Sequence, residues 1–377
     1  MKHIFRSIVL YILSAVYHFL IRPLIFLTSA QKAHERAVGL MSGMDSSPLA
    51  QSVMKTTYRI LQIERGDCVG GVKFRHPLVL AAGFVKGIGF DSEEKALEAV
   101  RRGENIIPGW RTMPSLVGPV EFGSFTRWPR LGNSGTVIWR DTKSQSTQNR
   151  VGLRNPGSTA AAEFLCRHRK FLPLIYGVNI AVSPGVTNLE QERCEVLESI
   201  DAFLERGVYP KWFTLNLSCP NTQDDPTANQ TEAKARDLCS TVVNHIREKA
   251  PKEIPLWVKI SPDLADEQYQ VLMDAFADTG IRAVIATNTL AMPSPPDPRV
   301  MAGVGGGQLH SRALEAASRL MQVKREGSYN VDVIGCGGVL DGKTYRNFRS
   351  LGIPVVQYYS ALVYRGPLAA AIIMNEA

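Results

Sequence analysis

The sequence predicts an α/β fold, a parallel (β/α)8 TIM barrel preceded by a small helical segment that associates with a membrane. Three observations carry this prediction. Short apolar runs rich in β-branched residues alternate with helical stretches about eight times after residue 75. Polar residues suited to chemistry stand at the carboxyl ends of those runs. Finally, the amino-terminal segment is the most apolar of the chain and is flanked by basic charge. With 377 residues, 45% hydrophobic and 21% charged, the chain matches a barrel of about 250 residues carrying appendages. The same composition excludes global disorder, a collagen-like repeat and a disulfide miniprotein.

Residues 7–21 (SIVLYILSAVYHFLI) form an apolar run closed by Arg22-Pro23. At 1.5 Å per residue this run spans roughly 22 Å, short of a ~30 Å hydrocarbon core. Continuing it to residue 27 places Arg22 and a kinking proline inside. A tilted span with a snorkelling Arg22 and a helix lying in the interface both satisfy this pattern. A secretory signal peptide is the competing reading, since Lys2 and Arg6 precede the apolar run and Thr28-Ser29-Ala30 ends in small residues. The formal charge of the chain is +8, and half of it falls in residues 1–44, where Lys2, Arg6, Arg22, Lys32 and Arg36 face the single acid Glu35. Basic residues beside an apolar helix point to an anionic lipid bilayer. No basic stripe with interleaved aromatics points to nucleic acid.

Residues 45–74 are mixed and polar and read as a connection wrapped on the surface. Strands are then expected at 78–83, 119–123, 175–180, 212–217, 256–260, 283–287, 331–335 and 353–358. Helices are expected at 92–102, 158–171, 188–206, 229–249, 265–279, 311–326 and 341–350, with Ser92-Glu93-Glu94 and Asp266-Glu267 as acidic first turns. Residues 104–118 read as an insertion before the second strand. About eight strand-then-helix units predict the closed barrel, and a doubly wound open sheet is the second reading.

A barrel demands useful side chains where its strands end, and they are present: Lys86, Asn179, Asn216, Cys219, Lys259 and Thr287-Asn288-Thr289. Each taken singly has a bland explanation as a turn former, a buried thiol or a surface lysine. Glycines at 303, 305, 306 and 307, and again at 335, 337 and 338, free backbone amides near helix starts and imply a phosphate-bearing cofactor. The six cysteines are widely separated, with no CxxC pair and no metal-ligand spacing, so reduced thiols and no metal are expected.

The stretches AAGFVKG (81–87), VEFGSFT (120–126), NRVGLRNPG (149–157), GVNI (177–180), LNLSCPNT (215–222), WVKISPDL (257–264), IATNT (285–289), GCGGV (335–339) and QYYSAL (357–362) resemble, in order, those of the dihydroorotate dehydrogenases. The resemblance implies an FMN-dependent barrel of pyrimidine synthesis. It implies Lys86, Asn149, Asn216, Asn221, Asn288 and Thr289 as ligands of dihydroorotate and orotate, whose imide edges and carboxylate suit amides, a hydroxyl and an ammonium. Asn179, Asn216 and Lys259 are implied as flavin contacts, with Ala82 and Gly83 of the first-strand motif. Gly306, Gly337, Gly338, Tyr359 and Ser360 match phosphate-binding positions. Cys219 takes the place of the catalytic base, and a thiol of ordinary pKa, ~8.5, implies activity that rises at alkaline pH.

Residues 21–43 (IRPLIFLTSAQKAHERAVGLMSG) are similar to the helix pair that forms the quinone tunnel of the membrane-bound class 2 enzymes. His34 and Arg140 fall at positions that approach the quinone there, and cleavage after Ala30 would destroy the pair. The implied organisation is a membrane anchor (1–20), a quinone-access segment (21–44), a connection (45–74) and the FMN-binding barrel (75–377). The charge distribution puts the barrel on the cytoplasmic side, at a bacterial inner membrane. The chain departs from class 2 at Cys219, where that class carries serine and class 1 carries cysteine. It departs also at Val85 for aspartate, at Arg154 for asparagine, and in the 104–118 insertion. Two further readings are a divergent FMN barrel using another cyclic amide or acceptor, and a flavoprotein that binds without turnover.

Overall fold

In a computed structural model describing residues 2–217 and 232–377, the chain opens with α1 (Lys2–Val16), a π-helical turn (Tyr17–Ile21) and α2 (Arg22–Phe26). Pro23 has no N–H to offer the preceding turn, and the register widens to the π form just before it. Ile4–Phe26 is one apolar helix of 23 residues, about 34 Å long and sufficient by length to cross a membrane. One face of it nevertheless lies on the barrel. Leu10 is buried with Leu61, Ala371 and Ile372, the Ser7 hydroxyl donates to Asn375 Oδ1 at 2.7 Å, and the Tyr17 hydroxyl donates to the carbonyl of Val363 at 2.9 Å. The opposite face exposes Phe5, Tyr11, Phe19, Leu24 and Leu27.

α3 (Ala30–Ser46) and α4 (Pro48–Leu61) follow. Ser47 closes the first and caps the second, its Oγ accepting from Ala50 N with Pro48 at the first helical position. The expected surface connection at 45–74 is therefore largely helical. It escapes detection because α4 fully buries only Gln51 and Leu61 while Leu49, Val53 and Ile60 stay exposed, so composition carries little of its pattern. A hairpin of β1 (Asp67–Val69) and β2 (Val72–Phe74) turns through Gly70-Gly71, whose φ values of +56° and +80° favour glycine. It plugs the bottom of the barrel: the Trp257 indole donates to the Gly70 carbonyl at 3.0 Å, and Gly70 N donates to Asp332 Oδ2 at 2.8 Å.

The remaining elements come in order: β3 (Leu78–Leu80), α5 (Glu93–Arg101), α6 (Thr112–Val117), β4 (Val120–Phe125), β5 (Ile138–Asp141), β6 (Ser146–Asn149), α7 (Ser158–Arg167), β7 (Tyr176–Ala181), α8 (Leu189–Leu204), β8 (Trp212–Asn216) and α9 (Glu232–Lys249). Then come β9 (Leu256–Ile260), α10 (Asp266–Thr279), β10 (Ala283–Ala286), β11 (Leu290–Pro293), β12 (Met301–Gly306), α11 (Gly307–Glu326), β13 (Asp332–Cys336), α12 (Gly342–Ser350), β14 (Val356–Tyr358), α13 (Ala361–Arg365) and α14 (Ala369–Glu376). Strands β3, β4, β7, β8, β9, β10, β13 and β14 close a parallel barrel in that order, each expected strand falling within a few residues of its place. Pairing of β3 with both β4 and β14 closes the ring and excludes the open sheet. Ser92 caps α5, its Oγ accepting from Lys95 N, with Glu93 and Glu94 in the first turn.

Two features exceed the sequence reading. An antiparallel sheet ordered β11-β12-β6-β5 contains Gly303, Gly305 and Gly306, so this glycine run is a strand before it is a helix start. The insertion at 104–118 is pinned by Asp45 at the end of α3. That buried carboxylate accepts from Gly109 N at 2.7 Å, Thr112 N at 2.8 Å and Asn105 Nδ2 at 2.8 Å. Inside the barrel the floor is apolar, with Trp212 and Trp257 stacked 4.5 Å apart between Phe74 and the strands. Polar groups lie above it.

Candidate active site

Strand alternation sends every second residue inward, and toward the carboxyl ends those residues turn polar. Glu121 on β4, Asn179 on β7, Thr214 and Asn216 on β8, Lys259 on β9 and Gln357 on β14 are all buried. Register sets Asn179 opposite Thr214 and Asn216 opposite Lys259. Glu121 accepts from Asn179 Nδ2 at 2.7 Å, Trp212 Nε1 at 3.0 Å, Thr214 Oγ1 at 3.0 Å and Gln357 Nε2 at 2.9 Å. Lys259 Nζ donates to Gln357 Oε1 at 3.1 Å. Asn216 Nδ2 donates to Ser124 Oγ and Asn288 Nδ2 donates to Asn216 Oδ1, both at 3.3 Å, while Thr289 N donates to Asn288 Oδ1 at 2.9 Å. Asn149, on β6, reaches the carbonyl of Gly303 at 3.4 Å.

Two polar atoms in this layer, Asn179 Oδ1 and Thr289 Oγ1, are buried without a partner among the described residues. Buried polar atoms cost about 1–3 kcal/mol each when unsatisfied, so such a pair at a barrel mouth marks a place for a ligand. The glycines build a second part. Gly306 (φ +92°) and Gly338 (φ +63°) approach so closely that a Cβ on Gly338 would stand 2.6 Å from the Gly306 carbonyl oxygen. A Cβ on Gly337 would meet Ala313 of α11 at 2.4 Å. This cradle opens beside the start of α11, a 20-residue helix with no side-chain cap. Near it, Ser360 Oγ and Thr147 Oγ1 lie 2.8 Å apart, and both approach Gly305. Gly83 N donates to the Gly123 carbonyl at 2.6 Å, next to Ala82 and within reach of the Tyr359 ring. Burial pushes the Tyr359 hydroxyl up to about 12.

From the amino-terminal helices a line of rings leads to this cradle. His34 on α3 meets Phe84 edge-on at 6.3 Å, and Phe84 meets Tyr359 edge-on at 5.8 Å. Burial, then the positive charge of Lys86, brings the His34 imidazole down to about 4, so it is neutral at ordinary pH. Arg140 on β5 secures the end of α2, donating to the carbonyls of Phe26 and Thr28, with its guanidinium 4.0 Å from the Phe26 ring centroid.

The structure therefore gathers Asn179, Asn216, Lys259, Asn288 and Thr289 in one layer, and Gly306, Gly337 and Gly338 in one cradle. Arg140 lies apart, at the helix end. Cys219 and Asn221 lie outside the described residues. Among the described residues, the five cysteines are free and no cluster of three or more metal-ligating side chains occurs. Sequence reasoning missed Glu121, Gln357 and Phe84. The signal for Glu121 was available, since it is a lone charge inside the apolar strand VEFGSF.

Comparisons with known proteins agree with this architecture. The family model described as dihydroorotate dehydrogenase matches residues 67–377. Curated relatives named dihydroorotate dehydrogenase (quinone) include that of Chloroflexus aurantiacus, 30% identical over 368 residues and covering 93% of both chains. That of Bordetella avium is 30% identical over 365 residues, covering 92% of this chain and 93% of its own. Among solved structures, DHODH of Eimeria tenella in complex with ferulenol superposes with a TM-score of 0.69 at 22% identity, covering 88% of this chain and 90% of that one. At that identity the superposition speaks for the fold.

Proposed function

Because this chain belongs to the dihydroorotate dehydrogenase family, we propose that it oxidises dihydroorotate to orotate in pyrimidine (UMP) biosynthesis, holding FMN and passing electrons to a membrane quinone. The observation that carries this reading is the pair of buried, unpartnered oxygens on Asn179 and Thr289, set among amides and Lys259 at the mouth of the barrel. The donor set fits a flavin: Asn179, Asn216 and Lys259 would meet its ring, Ala82 and Gly83 would flank it, and Gly306, Gly337, Gly338, Tyr359 and Ser360 would hold its phosphate. When bound, FMN supplies the hydride acceptor and the electron relay.

The protein's own residues do the rest. The Lys86 ammonium binds the substrate carboxylate, and Asn149, Asn216, Asn221, Asn288 and Thr289 fix the ring by its amide edges. Cys219 takes the proton from ring carbon 5 as hydride leaves carbon 6, and a thiol is mostly protonated near neutrality, so the rate rises toward alkaline pH. His34, Phe84 and Arg140 line the approach of the quinone head group. The exposed apolar face of the first helix, with Leu49, Val53 and Ile60 of α4, lies in the headgroup layer of a bacterial inner membrane, the barrel facing the cytoplasm. Its other face packs on α14, which supports a helix lying along the interface over one crossing the bilayer.

The test is the variant Cys219→Ala, assayed for turnover of dihydroorotate with a ubiquinone analogue. FMN stays bound and turnover falls by about 10²-fold or more, the scale of a lost general base. Full turnover without the thiol contradicts its role.

A further inference from the structure

Glu121 is a buried ionisable residue of the barrel core for which the proposed reaction provides no task, and donors crowd around it. It is fully buried, and four donors converge on it: Asn179 and Gln357 amides, the Trp212 indole and the Thr214 hydroxyl. An indole N–H can only donate, so the oxygen that meets it must accept. A carboxylate accepts from all four without conflict, and a carboxamide cannot.

The consequence concerns the two amides. Asn179 can turn only its NH2 toward an acceptor, and this sends Oδ1 the other way, buried and without a partner among the described residues. Gln357 likewise commits Nε2 to Glu121 and leaves Oε1 to receive the ammonium of Lys259 at 3.1 Å. One carboxylate thus orients two amides: one presents a bare acceptor and the other steadies a cation.

We infer that Glu121 is a positioning residue for the cofactor, aiming the Asn179 acceptor and, through Gln357, the Lys259 ammonium at the pyrimidine edge of the flavin. The inference rests on the proposed FMN site. An acceptor beside a cation is complementary to an imide N–H flanked by a carbonyl that gains negative charge on reduction. In Glu121→Gln the new NH2 must face one of the former donors. Asn179 relieves this conflict by flipping, which withdraws its acceptor from the cofactor.

The experiment measures binding of FMN and of 3-methyl-FMN, whose imide nitrogen has no hydrogen to donate, to flavin-free protein, together with the midpoint potential of the bound flavin. Wild type prefers FMN over the analogue by about ten-fold, the worth of one well-aimed hydrogen bond. In Glu121→Gln the preference collapses toward one, and Glu121→Asp restores part of it. A second variant, Gln357→Leu, keeps the preference, because Asn179 still faces Glu121, and lowers the midpoint potential, because the Lys259 charge is no longer steadied. If Glu121→Gln does not fold, Gln357→Leu tests the Lys259 half of the inference, and Glu121→Asp, with a weakened preference for FMN, tests the Asn179 half. An unchanged preference in Glu121→Gln, or an unchanged potential in Gln357→Leu, overturns the inference while leaving the FMN site standing. Failure of wild type to bind FMN overturns both.

Discussion

Ser7 donates its hydroxyl hydrogen to Asn375 Oδ1 at 2.7 Å, joining the first helix to the last across 368 positions of sequence. Together with the burial of Leu10 against Leu61, Ala371 and Ile372, this contact makes α1 part of the catalytic body. Leu10→Ala removes the central side chain of that contact and is expected to cost about 2–4 kcal/mol. The check is thermal unfolding in detergent, where Leu10→Ala lowers Tm by several degrees while Tyr11→Ala, on the exposed face, leaves it nearly unchanged. A freely hanging anchor predicts no shift from either variant.

Acid sensitivity follows from His76. Burial brings this imidazole from 6.5 down to about 4, and its Nε2 has no partner among the described residues. Unfolded chains take up the proton near 6.5 while the folded chain resists until about 4, so stability is fully present above 6.5 and drains away as pH falls between the two. The loss from this residue is about 3 kcal/mol. His34, also lowered to about 4, acts in the same window with the same sign. Denaturant midpoints measured across that window fall steeply for wild type. They fall less for His76→Asn, whose oxygen can still accept from Leu78 N as the ring nitrogen does at 3.2 Å. Parallel curves for the two proteins contradict the assignment.

The glycine cradle makes a selective prediction. Gly338→Ala sets a methyl 2.6 Å from both the Gly306 carbonyl oxygen and the His310 Cβ, so the loop must open and FMN retention drops about ten-fold or more. Gly103→Ala is the matched control: its φ of +78° is as unfavourable, but no atom lies within 4 Å of the new methyl. Flavin content per polypeptide after purification distinguishes them. Equal content in the two variants removes Gly338 from the phosphate site.

The barrel was legible because its strands are short apolar runs with turn residues at their carboxyl ends, a pattern that burial on both faces imposes on parallel sheet. Helix α4 was hidden because its apolar residues are split between the body and the exposed surface. The four-stranded sheet was hidden because β12 (MAGVGG) is rich in glycine, which composition assigns to a turn and only the partner strands β6 and β11 make extended. Asn179, Asn216 and Lys259 were singled out from their places at strand ends, and the structure brings them into one buried layer. Gln357 was not, because nothing in an isolated glutamine tells that a buried carboxylate on another strand, 236 positions away, fixes its amide.

The central claim, substrate oxidation at a flavin that then serves a quinone, is tested most directly without oxygen. Flavin-loaded, detergent-solubilised protein is mixed with dihydroorotate while the flavin absorbance is followed, and then a ubiquinone analogue or fumarate is added. The flavin is expected to bleach with dihydroorotate and to recover rapidly with the quinone but not with fumarate. A fully loaded, chemically reducible flavin that stays oxidised in dihydroorotate would contradict the assignment of substrate.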